Sequence, residues 1–230
     1  MMKFSDVMKA LLSIAIVALI QRVEAGVAVG ATRVIYPGDV NQVTLGVSNN
    51  KDEDTFLIQS WVENSDDQKD NKFVITPPLF VMQGKKDSSL RLVDATNGSL
   101  AKDRETLFWI NVKAIPSSTK TQQSDNTLQL AITSRIKMFY RPRGLAIPPN
   151  EAPEKLSFKR TGRFLVISNP TPYFLTITEL KAGELTLGNT MVHPMSDVAV
   201  ELPTGSGNSL TYQTINDFGA LTTMMKGTMQ

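Results

Sequence analysis

The 230-residue chain has no cysteine and a single histidine, His193. Without cysteine there is no disulfide framework, no thiol nucleophile and no cysteine metal site. His193 stands in "VHPM" with no second imidazole anywhere. A histidine metal centre or a Ser/His/Asp triad therefore lacks its usual neighbours, and a surface or turn histidine is the better reading. Also missing are a Gly-rich phosphate loop running from a strand into a helix, a nucleophile elbow, and any pair of ligands at metal spacing. The carboxylates of "DDQKD" around Asp66 sit in a polar run that reads as a solvated loop, not as an acid and base pair. No enzyme, cofactor or metal is implied. Charge is nearly balanced, 24 basic against 22 acidic residues. The basic residues are scattered, not blocked together with aromatics, which argues against a nucleic-acid partner.

Long apolar runs are scarce too. "ALLSIAIVALI", Ala10 to Ile20, follows Lys3 and Lys9, is short for a membrane span, and leads to small residues at Val23 and Ala25. This pattern predicts a secretory signal peptide over 1–25 and a mature chain from Gly26. Nothing after Gly26 resembles a transmembrane segment, so no stable membrane insertion is expected once the signal is removed.

What is present after Gly26 is period-two alternation broken by turn chemistry such as "YPGD", "NSDDQKDN" and "ATNGS". "DTFLIQSWVEN" sets Phe56, Ile58, Ser60 and Val62 against Leu57, Gln59 and Trp61; "ETLFWINVKAI" sets Phe108, Ile110 and Val112 against Leu107, Trp109 and Asn111. Short strands without helical periodicity indicate an all-β antiparallel sandwich. "RPRGLAIPPNEAPEK", with four prolines and a glycine, reads as an interdomain elbow. The expected domains are 26–146 and a smaller sandwich over 147–230. The Asn-Gly-Ser triplet at Asn97 reads as a tight turn before it reads as a glycosylation acceptor.

"NTLQLAITSRIKMFYRP", Asn126 to Pro142, predicts one strand with Leu128, Leu130 and Ile132 on one face and cations towards its end. On its own that apolar stripe reads as an ordinary core strand.

"LAKDRETLFWINVKAIPS", Leu100 to Ser117, resembles the signature of the periplasmic pilus chaperones, and "GATRVIYP", "TPPLF", "SRIKMFYRP" and "TINDFGAL" resemble that family in order and spacing. The likeness covers essentially the whole mature chain, with the type 1 fimbrial branch nearest. It implies two Ig-like β-sandwich domains in a boomerang arrangement with an interdomain cleft. It implies that Arg33 and Lys137 hold the C-terminal carboxylate of an incoming pilus subunit, which charge-assisted hydrogen bonds in a partly dry cleft would favour. It turns Leu128, Leu130 and Ile132 into donor-strand residues, lent to a subunit whose own fold lacks a strand. Glu105, Arg141 and Asp217 match an interdomain salt-bridge network that fixes the domain angle. The resemblance further implies a periplasmic location, an outer-membrane usher as second partner, a cis Thr76-Pro77 bond, and the subclass with a short loop before the lending strand.

Counting by twos from Leu128 leaves Lys137 on the opposite face from the donor residues, and a β-bulge re-aiming the lysine is the expected remedy. An exposed apolar edge would also favour weak self-association. The rival reading is an exported Ig-like pilin or adhesin, which would carry its own donor extension, commonly a cysteine pair, and no Arg33 and Lys137 pairing. A hydrolase on a β scaffold is disfavoured by the missing catalytic groups.

Overall fold

The computed structural model describes residues 26–117 and 129–230; the expected signal peptide and Leu128 lie outside these residues. The N-terminal half contains β1 (Val27–Val29), β2 (Arg33–Pro37), β3 (Gln42–Asn49), β4 (Phe56–Asn64), β5 (Phe73–Thr76), β6 (Leu79–Met82), β7 (Asp87–Asp94), β8 (Thr106–Pro116) and β9 (Ile132–Arg141). They form a four-stranded sheet ordered β1-β3-β7-β5 and a five-stranded sheet ordered β2-β9-β8-β4-β6.

The two sheets close on one core because alternate residues of each strand are apolar. β4 buries Ile58, Ser60 and Val62, while β8 buries Phe108, Ile110, Val112 and Ala114. From the facing sheet come Leu45, Val47, Leu90 and Leu92. Phe73 fills the middle, with its ring centroid 4.9 Å from both Tyr36 and Phe108.

The C-terminal half is the second sandwich. β10 (Ser157–Thr161), β11 (Phe164–Asn169) and β15 (Ser196–Glu201) make one sheet. β12 (Leu175–Ala182), β13 (Leu185–Thr186), β14 (Thr190–Val192), β16 (Ser209–Thr214) and β17 (Met225–Thr228) make the other. Its separate core contains Leu165, Ile167, Ile177, Leu180 and Leu210. The proline-rich connection is tied to this half, since Leu145 and Ile147 pack on its core and the Tyr173 hydroxyl donates to the Ile147 carbonyl at 2.6 Å.

Local turn chemistry follows the sequence. Asn97 and Gly98 have φ of 52° and 71°, the left-handed pair of a type I′ turn, closed by Ser99 N–H donating to the Thr96 carbonyl at 3.1 Å. The Thr76-Pro77 peptide is cis. His193 is exposed and follows β14, with its ring 5.0 Å from Phe174.

One strand differs from expectation. β9 begins at Ile132, several residues later than the alternation from Asn126 predicts. The β8–β9 register pairs Ala114 with Ile132, so continuing it would place Leu130 opposite Pro116, which has no N–H to give the ladder.

Candidate functional site

The chain near its described start changes sheets. β1 pairs with β3 in one sheet; after Gly30, whose N–H donates to the Gly46 carbonyl at 2.9 Å, β2 joins the other sheet beside β9. β2 and β9 run parallel, and their register sets Arg33 directly beside Lys137. Side chains directly across a sheet share a face, so two cations from distant parts of the sequence stand side by side.

Neither cation forms an ion pair with another described residue. Arg33 donates through Nη1 to the Ile215 carbonyl at 3.1 Å, and its Nε is buried without a hydrogen-bond partner. Burial lowers the Arg33 pKa, against the opposing charges of Asp217 and Glu105. Lys137 is lowered as well, by burial first and by the charge of Arg33 second. Two half-buried cations in register, neither in an ion pair with a described residue, are chemically suited to an anion: a carboxylate there would relieve their repulsion and supply the missing acceptor.

Beyond this pair β9 has a bare edge. β2 covers Lys137 to Arg141, and among the described residues nothing pairs with the outer side of β9 from Ile132 to Ile136. Ile132 is 66% exposed and Leu130, just before the strand, 67%. With Ser134, Val27, Phe56 and Val112 they line a groove of about 210 Å³ on the open flank of the sandwich.

Among the described residues the expected bulge is absent. The β8–β9 register runs without a shift from Ala114 and Ile132 to Thr106 and Tyr140. Ile132, Ser134, Ile136 and Met138 consequently share the core-facing side, while Arg135, Lys137, Phe139 and Arg141 point to the other side. No re-aiming is needed, because the apolar residues and the cations use opposite faces of one regular strand.

The outward face of β9 ends at the domain junction. Arg141 Nε donates to Glu105 Oε1 at 2.8 Å, while its Nη1 and Nη2 donate to the two Asp217 oxygens at 2.6 and 2.7 Å. Glu105 Oε2 accepts the Phe174 N–H at 2.8 Å, and the Glu105 N–H donates to the Pro172 carbonyl at 2.9 Å. The triad thus bridges β8, β9 and the second sandwich. Burial pushes the Glu105 carboxyl up against the pull of Arg141 and the Phe174 N–H. Arg141 resists burial because Asp217 and Glu105 hold its proton, and its pKa is raised. Beside it, the "TINDFGAL" turn is built by Asn216, whose side-chain oxygen accepts the N–H groups of Phe218 and Ala220, both at 3.0 Å. Gly219, at φ 83°, lies against Thr32, with no room for a Cβ.

Residues 26–146 match the PapD N-terminal domain of pili and flagellar-assembly chaperones, and residues 151–226 match the C-terminal domain of the pili assembly chaperone PapD. The chain belongs to the PapD family of pilus chaperones. Chaperone protein FimC of Escherichia coli (strain K12) is 58% identical over 209 residues, covering 91% of this chain and 87% of its own. Chaperone protein FocC of Escherichia coli is 58% identical over 207 residues, covering 90% and 91%. Among solved structures, the periplasmic chaperone SfaE aligns with a TM-score of 0.79 at 56% identity over 89% of this chain and 100% of its own. A chain from the Salmonella enterica complex of SafA pilin with the SafB chaperone aligns with a TM-score of 0.81 at 31% identity, covering 90% and 98%.

Two features of this chaperone's cleft face escaped the sequence reading. Trp109, opposite Lys137 in the register, is flanked by the guanidinium of Arg135 at 4.1 Å and the ammonium of Lys137 at 5.8 Å from its ring centroid. Arg135 is itself held by Glu63 at 3.3 Å and by Asp67, so it is neutralised while Lys137 is not. Counting by twos along β9 would have put Arg135 on the lysine's face; of its acidic partners, Glu63 lies on β4 and Asp67 in the run that read as a solvated loop. The second feature is Phe218, 93% exposed at the lip of the cleft.

Proposed function

We propose that this chaperone works in the periplasm, as a molecule of two units, 26–146 and 147–230, left after removal of a signal peptide. It binds newly exported pilus subunits by donor-strand complementation and delivers them to an outer-membrane usher. The observation that carries this reading is the Arg33 and Lys137 pair, uncompensated and in register at the head of the unpaired edge of β9. A subunit's C-terminal carboxylate between these cations would start its last strand alongside β9, where main-chain groups wait for partners. SafB, a relative, is held in complex with a pilin, and SfaE is a periplasmic chaperone.

The lent residues are Leu130 and Ile132, preceded by Leu128. Transfer of each side chain into a subunit groove contributes roughly 1.5 to 3 kcal/mol before ordering costs, enough to hold a subunit yet allow exchange. Glu105, Arg141 and Asp217 fix the angle between the domains, and with it the place of Ile215 and Phe218 beside the cations and the strand of the first domain. The role is non-catalytic, with neither cofactor nor nucleotide; release follows when a better-fitting strand from the next subunit replaces the lent one. In the absence of a subunit, the free edge would let two molecules cap each other weakly.

Co-purification with a cognate pilus subunit tests the anchor. Lys137→Ala and Arg33→Ala should each lose the complex, while the melting temperature shows both variants folded. Retention of the subunit at wild-type yield by both would remove the carboxylate anchor from the account.

A further inference from the structure

The cleft holds a second, apolar feature next to the anchor. A cavity of about 370 Å³ opens between the domains, with Arg33 on its rim and Phe139, Phe174, Leu175, Ile215 and Phe218 among its walls. Its polar members are largely committed, since Glu105, Arg141 and Asp217 satisfy one another. Arg33 is the exception, with its buried Nε unpartnered. Phe139 follows Lys137 by two residues on the same face, and its ring lies 5.4 Å from Phe174, so an aromatic floor begins one side-chain step from the cations. Phe218 is fixed on its turn by the Asn216 side chain, yet remains 93% exposed. A large aromatic carried on a hydrogen-bonded turn and exposed at the mouth of a cavity is a contact surface awaiting a partner.

We propose that this cavity is a specificity pocket for the side chain of the bound subunit's C-terminal residue, and that it selects an aromatic or large aliphatic one. The inference rests on the carboxylate anchor at Arg33 and Lys137. With the terminal carboxylate over those cations, the side chain on the same Cα lies within one residue's reach of the Phe139 and Phe174 floor, and Phe218 covers it from the solvent side. A small terminal residue would leave the walls unfilled. An acidic one would bring a second negative charge to apolar walls already occupied by the Glu105 and Asp217 carboxylates.

The test uses ten-residue peptides of alternating valine and serine that end in Phe, Gly or Asp with a free carboxylate, and the Phe peptide as its C-terminal amide, with affinities measured by fluorescence anisotropy. The expected order is Phe over Gly by about tenfold, from burial of one aromatic side chain less its ordering cost, with Asp weakest. Phe218→Ala should bring the Phe and Gly peptides within about twofold of each other. Its exposure keeps the substitution from threatening the fold. Equal binding of Phe and Gly peptides, with the amide weakened, would overturn the pocket and leave the anchor standing. An amide as tight as the free acid, or no binding by any peptide at millimolar concentration, would overturn the anchor and the pocket with it.

Discussion

Arg141→Ala isolates what the domain junction contributes. The Glu105 side chain is 2% exposed and that of Arg141 18%, so removing the guanidinium strands a carboxylate that water does not reach. Breaking a buried pair from one side costs about 3 to 5 kcal/mol. The lower end applies because the Phe174 N–H still donates to Glu105 and because Asp217, with a side chain 34% exposed, is taken over by solvent. The expected loss is therefore about 3 kcal/mol near pH 8. Its pH dependence has a definite sign. Glu105 is raised in the folded protein, chiefly by burial. A carboxyl raised on folding stabilises while protonated, below its unfolded value, and that stability is lost as pH rises through the folded value. Without Arg141 the folded value climbs further, so the penalty grows with pH and is smaller in an assay at about pH 5 than in one at about pH 8. Urea unfolding followed by tryptophan fluorescence reads the N-terminal sandwich, since Trp61 and Trp109 are the chain's two tryptophans. A loss below about 1 kcal/mol, equal at both pH values, would refute the reasoning, because it would mean that water solvates Glu105 in the variant. The double variant Glu105→Leu with Arg141→Met separates charge from packing: it should recover most of the loss, because no stranded charge remains.

Three further outcomes follow from the same geometry. Lys137→Met should raise the stability of the free protein by a few tenths to about 1 kcal/mol, a modest figure because solvent screens a half-buried charge. Lys137 is lowered on folding, so the wild type regains stability as pH rises above the folded value and the gap to the variant closes in alkali; a lower melting temperature for Lys137→Met would show that the ammonium is compensated. Ile132→Asp and Leu130→Asp should abolish subunit capture yet leave the unfolding free energy within about 0.5 kcal/mol of wild type, since both sites are exposed. A large drop in stability would show that these residues serve the chaperone's own core. Gly219→Ala should cost about 1 to 3 kcal/mol, because φ of 83° strains an L residue and the new methyl meets the Thr32 hydroxyl. Adding Thr32→Ala should restore only the part due to overlap; an unchanged melting temperature for Gly219→Ala alone would refute the close approach.

Period two was enough to assign faces in the sequence. Ile58, Ser60 and Val62 of β4 and Phe108, Ile110 and Val112 of β8 lie inward as alternation required. Neighbours were harder. Nothing local pairs β2 with β9, since a parallel pair has no hairpin to announce it, so the contact of Arg33 with Lys137 was reachable only through likeness to a family. The late start of β9 depended on which residue faces Pro116, and that is a property of register. The bulge was a faulty remedy for a correct observation: Lys137 does lie on the face opposite Ile132, and the error lay in supposing that the apolar stripe and the cation must share a face. Phe218 had no signal beyond its place in a turn, because period-two patterns describe residues that face a core and this one faces water.

The two halves of the binding face are stable for opposite reasons. At the junction the charges of the triad are answered, with Arg141 donating to two carboxylates and Glu105 also taking a backbone N–H across to the second sandwich. On the same sheet Arg33 and Lys137 stand in register without an ion pair to any described residue, and among the described residues the next stretch of strand leaves its hydrogen-bonding edge and two large apolar side chains bare. On the proposed reading each of these groups costs the free chaperone some stability, and each would gain when a carboxylate-terminated strand lies along β9. Replacing them with residues that satisfy one another would make a more stable sandwich and a poorer chaperone. The triad adds the second wall: by tying Glu105 and Arg141 of the first sandwich to Asp217 of the second, it keeps the Ile215 carbonyl on Arg33 and the turn that carries Phe218 beside the cations.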